Sequence, residues 1–136
     1  MLRPVPAIWL LLVFLLIVGV NAFAYWKHLY FYVPWLDIPM HFVSGGWLAM
    51  VAISLIATHP RLSGLRADRV VAFWLAIGTV MLFSVIWELF EFRLDPLIAF
   101  APHDLEDTLS DLLFDLLGGI SGSLVVLLMR YTKRNV

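Results

Sequence analysis

No cysteine occurs in the chain, so it has neither a disulfide framework nor a thiolate metal site, and any metal would need oxygen or imidazole ligands. Charge is also scarce. Asp, Glu, Lys and Arg together make up 14% of the residues and the net charge is −1, which leaves no basic surface for a nucleic-acid partner. The chain has no G-x-S-x-G, no H-E-x-x-H and no phosphate-cradling glycine loop, so the established hydrolase and nucleotide-binding signatures are absent. There is no internal repeat and no low-complexity tract.

What is present is apolar surface in excess. Hydrophobic residues make up 62% of 136 residues, and the mean hydropathy is +0.94. This is well above the apolar share of a soluble domain, and the length allows one domain. The apolar runs carry almost no internal charge and are long enough to cross a hydrocarbon core. The expectation is an all-α membrane protein, a bundle of four transmembrane helices, with an interfacial segment between the first two.

The first span runs from about Ala7 to Trp26, interrupted only by Asn21. A cleaved signal peptide is the rival reading, with Arg3 as a minimal basic region, Ile8 to Val20 as the apolar stretch and Ala22-Phe23-Ala24 as the cleavage site. Against it, the apolar character continues through that site to Tyr25 and Trp26. The aromatic stretch from His28 to Leu36 follows; its Tyr30, Tyr32 and Trp35 suit the headgroup layer. The second span is expected over about 38–58, with Asp37 as N-cap, Pro39 in the first turn and His59-Pro60 as the stop. A short polar loop leads to the third span, about 70–92. A longer polar connection with Pro96 and Pro102 precedes the fourth, about 107–130.

Basic residues fix the expected orientation. Arg3, Arg61, Arg66, Arg69, Arg130, Lys133 and Arg134 fall on one side of the alternating spans, and only Lys27 and Arg93 on the other. The positive-inside rule then puts both termini in the cytoplasm, with the protein in the inner membrane and lipids as its surroundings. Nine of the ten acids gather on the opposite, outer side: Asp37, Glu88, Glu91, Asp95, Asp104, Glu106, Asp107, Asp111 and Asp115. Only Asp68 is cytoplasmic.

Several of these acids are helical rather than loop residues. Side chains three or four positions apart share a helix face. Asp37 and His41 therefore form one stripe, Ser84, Glu88 and Glu91 a second, and Asp107, Asp111 and Asp115 a third. Ionisable groups at membrane depth face the bundle interior or a wet cavity, so the three stripes should face one another. Gly45 continues the first stripe and Gly118 and Gly122 the third, as small residues that let backbones approach. The first helix supplies no ionisable residue and reads as scaffold.

A carboxylate cluster of this size needs protons or cations to neutralise it. A divalent metal ion is one solution. Carboxylates with one imidazole suit zinc, manganese or iron, and an all-carboxylate set suits magnesium or calcium. The expected ligands are His41, Glu88, Glu91, Asp107 and Asp111, with Asp37 orienting His41 or sharing the coordination. Asp115 lies about 12 Å deeper than Asp107 at 1.5 Å per residue; it is either a further member or a bond to a neighbouring helix. One carboxylate could act as a general base toward an activated water. Two other classes stay open. One is a proton- or cation-coupled transporter component, which with only four helices would require a homo-oligomer. The other is a non-catalytic accessory subunit locked by its polar cluster. Asp37 and Asp107 can also serve merely as favourable charges at helix N-termini.

The motifs Leu36-Asp37-Ile-Pro-Met-His41-Phe42 with Gly45, Trp87-Glu88-Leu-Phe-Glu91, and Asp107-Thr-Leu-Ser-Asp111-Leu-Leu with Gly118 occur in that order. In them the chain resembles the YjdF-like integral membrane proteins and the broader VanZ-like group, from the second helix onward. Two departures stand out: the chain is shorter than many such proteins, and Asp115 stands where an apolar or amide residue is common. The resemblance implies a bacterial or archaeal cytoplasmic membrane and brings little function with it.

Overall fold

The computed structural model of the protein describes residues 2–66, 68–98 and 105–128. His103, Asp104, Arg130, Lys133 and Arg134, which carry part of the charge argument, lie outside them. Five α-helices follow in order: α1 (Ala7–Trp26), α2 (Leu29–Tyr32), α3 (Asp37–Thr58), α4 (Arg69–Ile98) and α5 (Leu105–Leu128). Short 3-10 turns, Pro34–Leu36 and Pro60–Arg66, precede and follow α3. The described residues form no strand. Four of the helices are long and apolar enough to cross a membrane.

The bundle inverts the size rule of a soluble core. Its interior is lined by Ala49, Ala52, Ala72, Ala76 and Ser123, while Leu16, Trp74, Leu82, Leu89 and Leu113 are exposed. With hydrocarbon as solvent, exposing a leucine costs nothing, and close helix packing becomes the driving force, so small residues move inside. The most extensive helix contact joins α3 and α5. A Cβ on Gly45 would overlap the Asp115 carbonyl, one on Gly118 the Phe42 carbonyl, and one on Gly122 the Gly46 carbonyl. At these positions the two backbones touch, and any larger side chain would force them apart. α4 closes the bundle against both; its Val80 methyls meet Gly119.

α1 is attached differently, packing mainly on α3. The Trp47 indole N–H donates to the Leu10 carbonyl at 2.8 Å, and its ring stacks on Phe14 with centroids 5.2 Å apart. Before α1, the chain tucks against the far end of the bundle. Leu2 is buried with Ile53, Ile56 and Leu127, and the Val5 amide donates to Ser54 Oγ at 2.9 Å. After α1, His28 takes a left-handed conformation (φ 52°), which separates α2 from α1 and turns the chain.

Two expected boundaries change. α3 begins at Asp37 itself, with Leu36 as cap residue and no side-chain cap bond. Asp37 is therefore not the N-cap, because the 3-10 turn already delivers the backbone in helical geometry. α4 continues beyond the expected end near 92 to Ile98, through Pro96. A proline removes one backbone donor and crowds the carbonyl four residues earlier; in the last turn that cost falls on a single turn, and α4 runs through it. A cap does form at the start of α4: Asp68 Oδ1 accepts the Val70 and Val71 amides at 2.8 and 3.2 Å, the geometry of an N-cap carboxylate.

Candidate functional site

The α3–α5 crossing determines which side chains meet. Gly45 lies one turn after His41, and Gly118 lies just beyond Asp115 and two turns beyond Asp111. Contact at the glycines therefore sets His41 against both aspartates. His41 Nδ1 lies 3.0 Å from Asp115 Oδ2, a buried hydrogen bond between residues 74 positions apart. A carboxylate oxygen is an acceptor only, so Nδ1 carries the proton and donates it. In the neutral ring this leaves the lone pair on Nε2. That atom faces Asp37 Oδ1 at 3.5 Å and Asp111 Oδ2 at 3.8 Å.

Asp115 thus holds the imidazole through Nδ1, while Asp37 stands on the Nε2 side. Asp115 does bond a neighbouring helix, and that bond orients the candidate ligand. Carboxylate–histidine pairs of this kind fix both the tautomer and the direction of a metal-binding ring.

α4 brings Glu88 and Glu91 to the same place. One ligand atom from each of His41, Glu88, Glu91 and Asp111 fits within 4.8 Å of the others, and all four residues are buried. Asp111 is 2% exposed, and its Oδ2 has no hydrogen-bond partner. Ser84, one turn before Glu88, donates its hydroxyl to the Val80 carbonyl at 2.9 Å and so serves its own helix. A second set, Asp37, Asp107 and Asp111, also lies within 4.8 Å; Asp37 is half-buried and Asp107 exposed. The seven acid and histidine positions singled out by spacing therefore converge at one end of the bundle.

By type and proximity this donor set could hold a metal ion: carboxylate oxygens and an imidazole nitrogen are ligands of zinc and manganese. Two other described histidines do different work. His59 Nδ1 accepts the Arg61 amide at 3.3 Å in the turn after α3, and His28 forms the left-handed turn.

Tyr30 is a neighbour of the site that periodicity did not indicate, since it sits in the short α2. Its hydroxyl donates to Asn21 Oδ1 of α1. Burial, followed by the charges of Asp37 and Glu91, pushes its ionisation well above the ordinary tyrosine range, so the phenol stays a neutral donor. Lys27 is nearby in sequence, and its ammonium rests 4.0 Å over the Trp26 ring.

Residues 2–134 match the family described as Predicted membrane protein (DUF2238). The chain belongs to that family. The match spans every residue of the α3–α4–α5 cluster, so the site lies within the DUF2238 domain and not in an appended segment. No curated protein and no solved structure matches the chain.

Proposed function

We propose that this protein is a multi-pass protein of the cytoplasmic (inner) membrane, both termini cytoplasmic, that binds a divalent metal ion through His41, Glu88, Glu91 and Asp111. In this reading the site opens to the outer face and acts on a lipid or cell-envelope molecule. The finer assignment to the YjdF-like and VanZ-like group belongs to the same proposal and is supported by the ordered motifs around His41, Glu88 and Asp111.

The observation that carries the metal reading is the direction of His41. Its Nδ1 is committed to Asp115, and its Nε2 looks into carboxylate oxygens at 3.5 and 3.8 Å. Those separations exceed the 2.7–3.2 Å of an N–H···O bond, yet they match the spacing of two donors around a shared cation. The bound ion would act as a Lewis acid toward an ester or phosphoryl oxygen. Asp115 would hold the imidazole in register, and Asp37 and Asp107, at the more exposed rim, would meet the incoming molecule. Polar groups elsewhere in the bundle favour a site over a transmembrane relay. Thr79 and Ser121 donate to the Leu75 and Leu117 carbonyls of their own helices, and Ser54 accepts the Val5 amide, which leaves the buried Ser123 hydroxyl as the one of these four without a hydrogen-bond partner.

Elemental analysis of purified protein, before and after reconstitution with zinc or manganese, tests this reading. The wild type should retain metal through dialysis, and His41→Ala and Asp111→Asn should lose it. Wild-type protein that holds no metal even after reconstitution would contradict the reading. Orientation is separately testable because the chain lacks cysteine. A membrane-impermeant maleimide added to spheroplasts should label Leu105→Cys and not Gly64→Cys. Both positions are exposed, and a Cβ at Gly64 meets nothing.

A further inference from the structure

Asp111 belongs to both groups of converging ligands, the buried His41, Glu88, Glu91 and Asp111 and the outer Asp37, Asp107 and Asp111. We infer that the site holds two divalent cations side by side, bridged by the Asp111 carboxylate. This rests on the metal reading above and extends it from one ion to a pair.

Two features lead to the pair. Asp111 is the most buried acid of the cluster at 2% exposure, and its Oδ2 lacks a hydrogen-bond partner while facing His41 Nε2 at 3.8 Å. A buried carboxylate oxygen left in that state is costly unless a proton or a cation completes it. Asp111 also stands between the two groups, so a bridging carboxylate would set two ions about 3.5–4 Å apart, the separation of two-metal centres.

The two positions differ chemically. The inner one offers an imidazole and buried carboxylates, a set suited to zinc, manganese or iron. The outer one offers carboxylate oxygens only, with Asp37 half-buried and Asp107 exposed. It suits a harder ion that keeps several waters, such as magnesium or manganese. The inner ion should therefore bind tightly and the outer one weakly and exchangeably. The outer ion, at the more open rim, would meet an anionic oxygen of the substrate first.

Manganese serves as the probe for both positions. Equilibrium dialysis of detergent-purified full-length protein against Mn²⁺ should reach two ions per chain in two phases at least tenfold apart in affinity, and the fully loaded sample should give the spin-coupled EPR signal of a bridged pair. Asp107→Ala, at an exposed position, should lower the stoichiometry to one and replace the coupled signal by an isolated Mn²⁺ spectrum. Asp37→Asn should do the same, which guards against a folding defect in either variant. Wild type that binds one ion per chain, unaltered by Asp107→Ala, would overturn the pair and leave the single-metal reading intact. Two ions without spin coupling would overturn the bridge. No bound manganese would overturn both.

Discussion

α1 and the α3–α5 pair are comparably long, and all three are apolar enough to span a membrane, α1 the most so, yet they are used in opposite ways. α1 exposes Ile8, Trp9, Leu12, Leu16 and Phe23 and buries only Ala24. α3 and α5 bury glycines, alanines and the acidic cluster, and present leucines outward. Length and hydropathy take a segment into the membrane, but they do not decide which face it shows. That depends on where small and polar side chains lie, because lipid rewards neither close approach nor charge. A helix without such a stripe becomes a peripheral strut, tied on by Trp47, by the Tyr30–Asn21 bond and by the segment before it, whereas helices that have it bring the candidate site together.

The sharpest way to break the contrast is at the crossing itself. Gly118→Leu puts a branched side chain where even a Cβ overlaps the Phe42 carbonyl, so α3 and α5 cannot close. The expected result is loss of folded protein by thermal unfolding in detergent, with metal binding lost at the same time. The smaller Gly118→Ala should cost about 1–3 kcal/mol as an overpacked contact.

Next in size is a change that spares the crossing and disturbs only what it delivers. Asp115→Asn keeps the shape but can present its amide N–H₂ to Nδ1, which favours the tautomer with the proton on Nε2. Metal affinity should fall roughly 10- to 100-fold, the usual effect of losing the group that orients a ligand. Calorimetric titration would register the loss, with helicity unchanged. The smallest effect is expected in α1. Leu16→Ala removes a side chain that is 63% exposed, and the unfolding midpoint should move by no more than about 0.5 kcal/mol equivalent, as at other surface positions. A large effect there would mean that α1 is structural in its own right.

The four spans were readable because apolar runs of that length have no other home, and the acid stripes because helical spacing puts Asp37 with His41 and Asp107 with Asp111 whatever the tertiary structure. Their mutual approach required only that charge avoid lipid. The partner of His41 was less accessible. Asp115 is 74 positions away, and which aspartate of the ladder reaches the ring depends on the register set by Gly45 and Gly118. A shift of one turn in that register would have exchanged Asp115 for Asp111. Asp37, at i−4, was the natural local choice; it does face the ring, at Nε2, and the tertiary contact adds Asp115 at Nδ1. Pro96 misled for a similar reason: as a residue type it reads as a stop, and only its place in the last turn of α4 makes it harmless. Tyr30 carried no periodic signal because α2 is a single turn, and its position beside Asp37 and Glu91 follows from the chain reversal at His28.

The proposed metal site depends on the glycine crossing of α3 and α5, which aims one imidazole into a carboxylate pocket. X-ray absorption at the zinc edge of reconstituted protein tests it most directly. The account predicts a first shell of nitrogen and oxygen only, at about 2.0–2.2 Å, with the outer-shell scattering of a single imidazole that disappears in His41→Gln. An imidazole signature that persists in that variant, or zinc with no imidazole in the wild type, would contradict it.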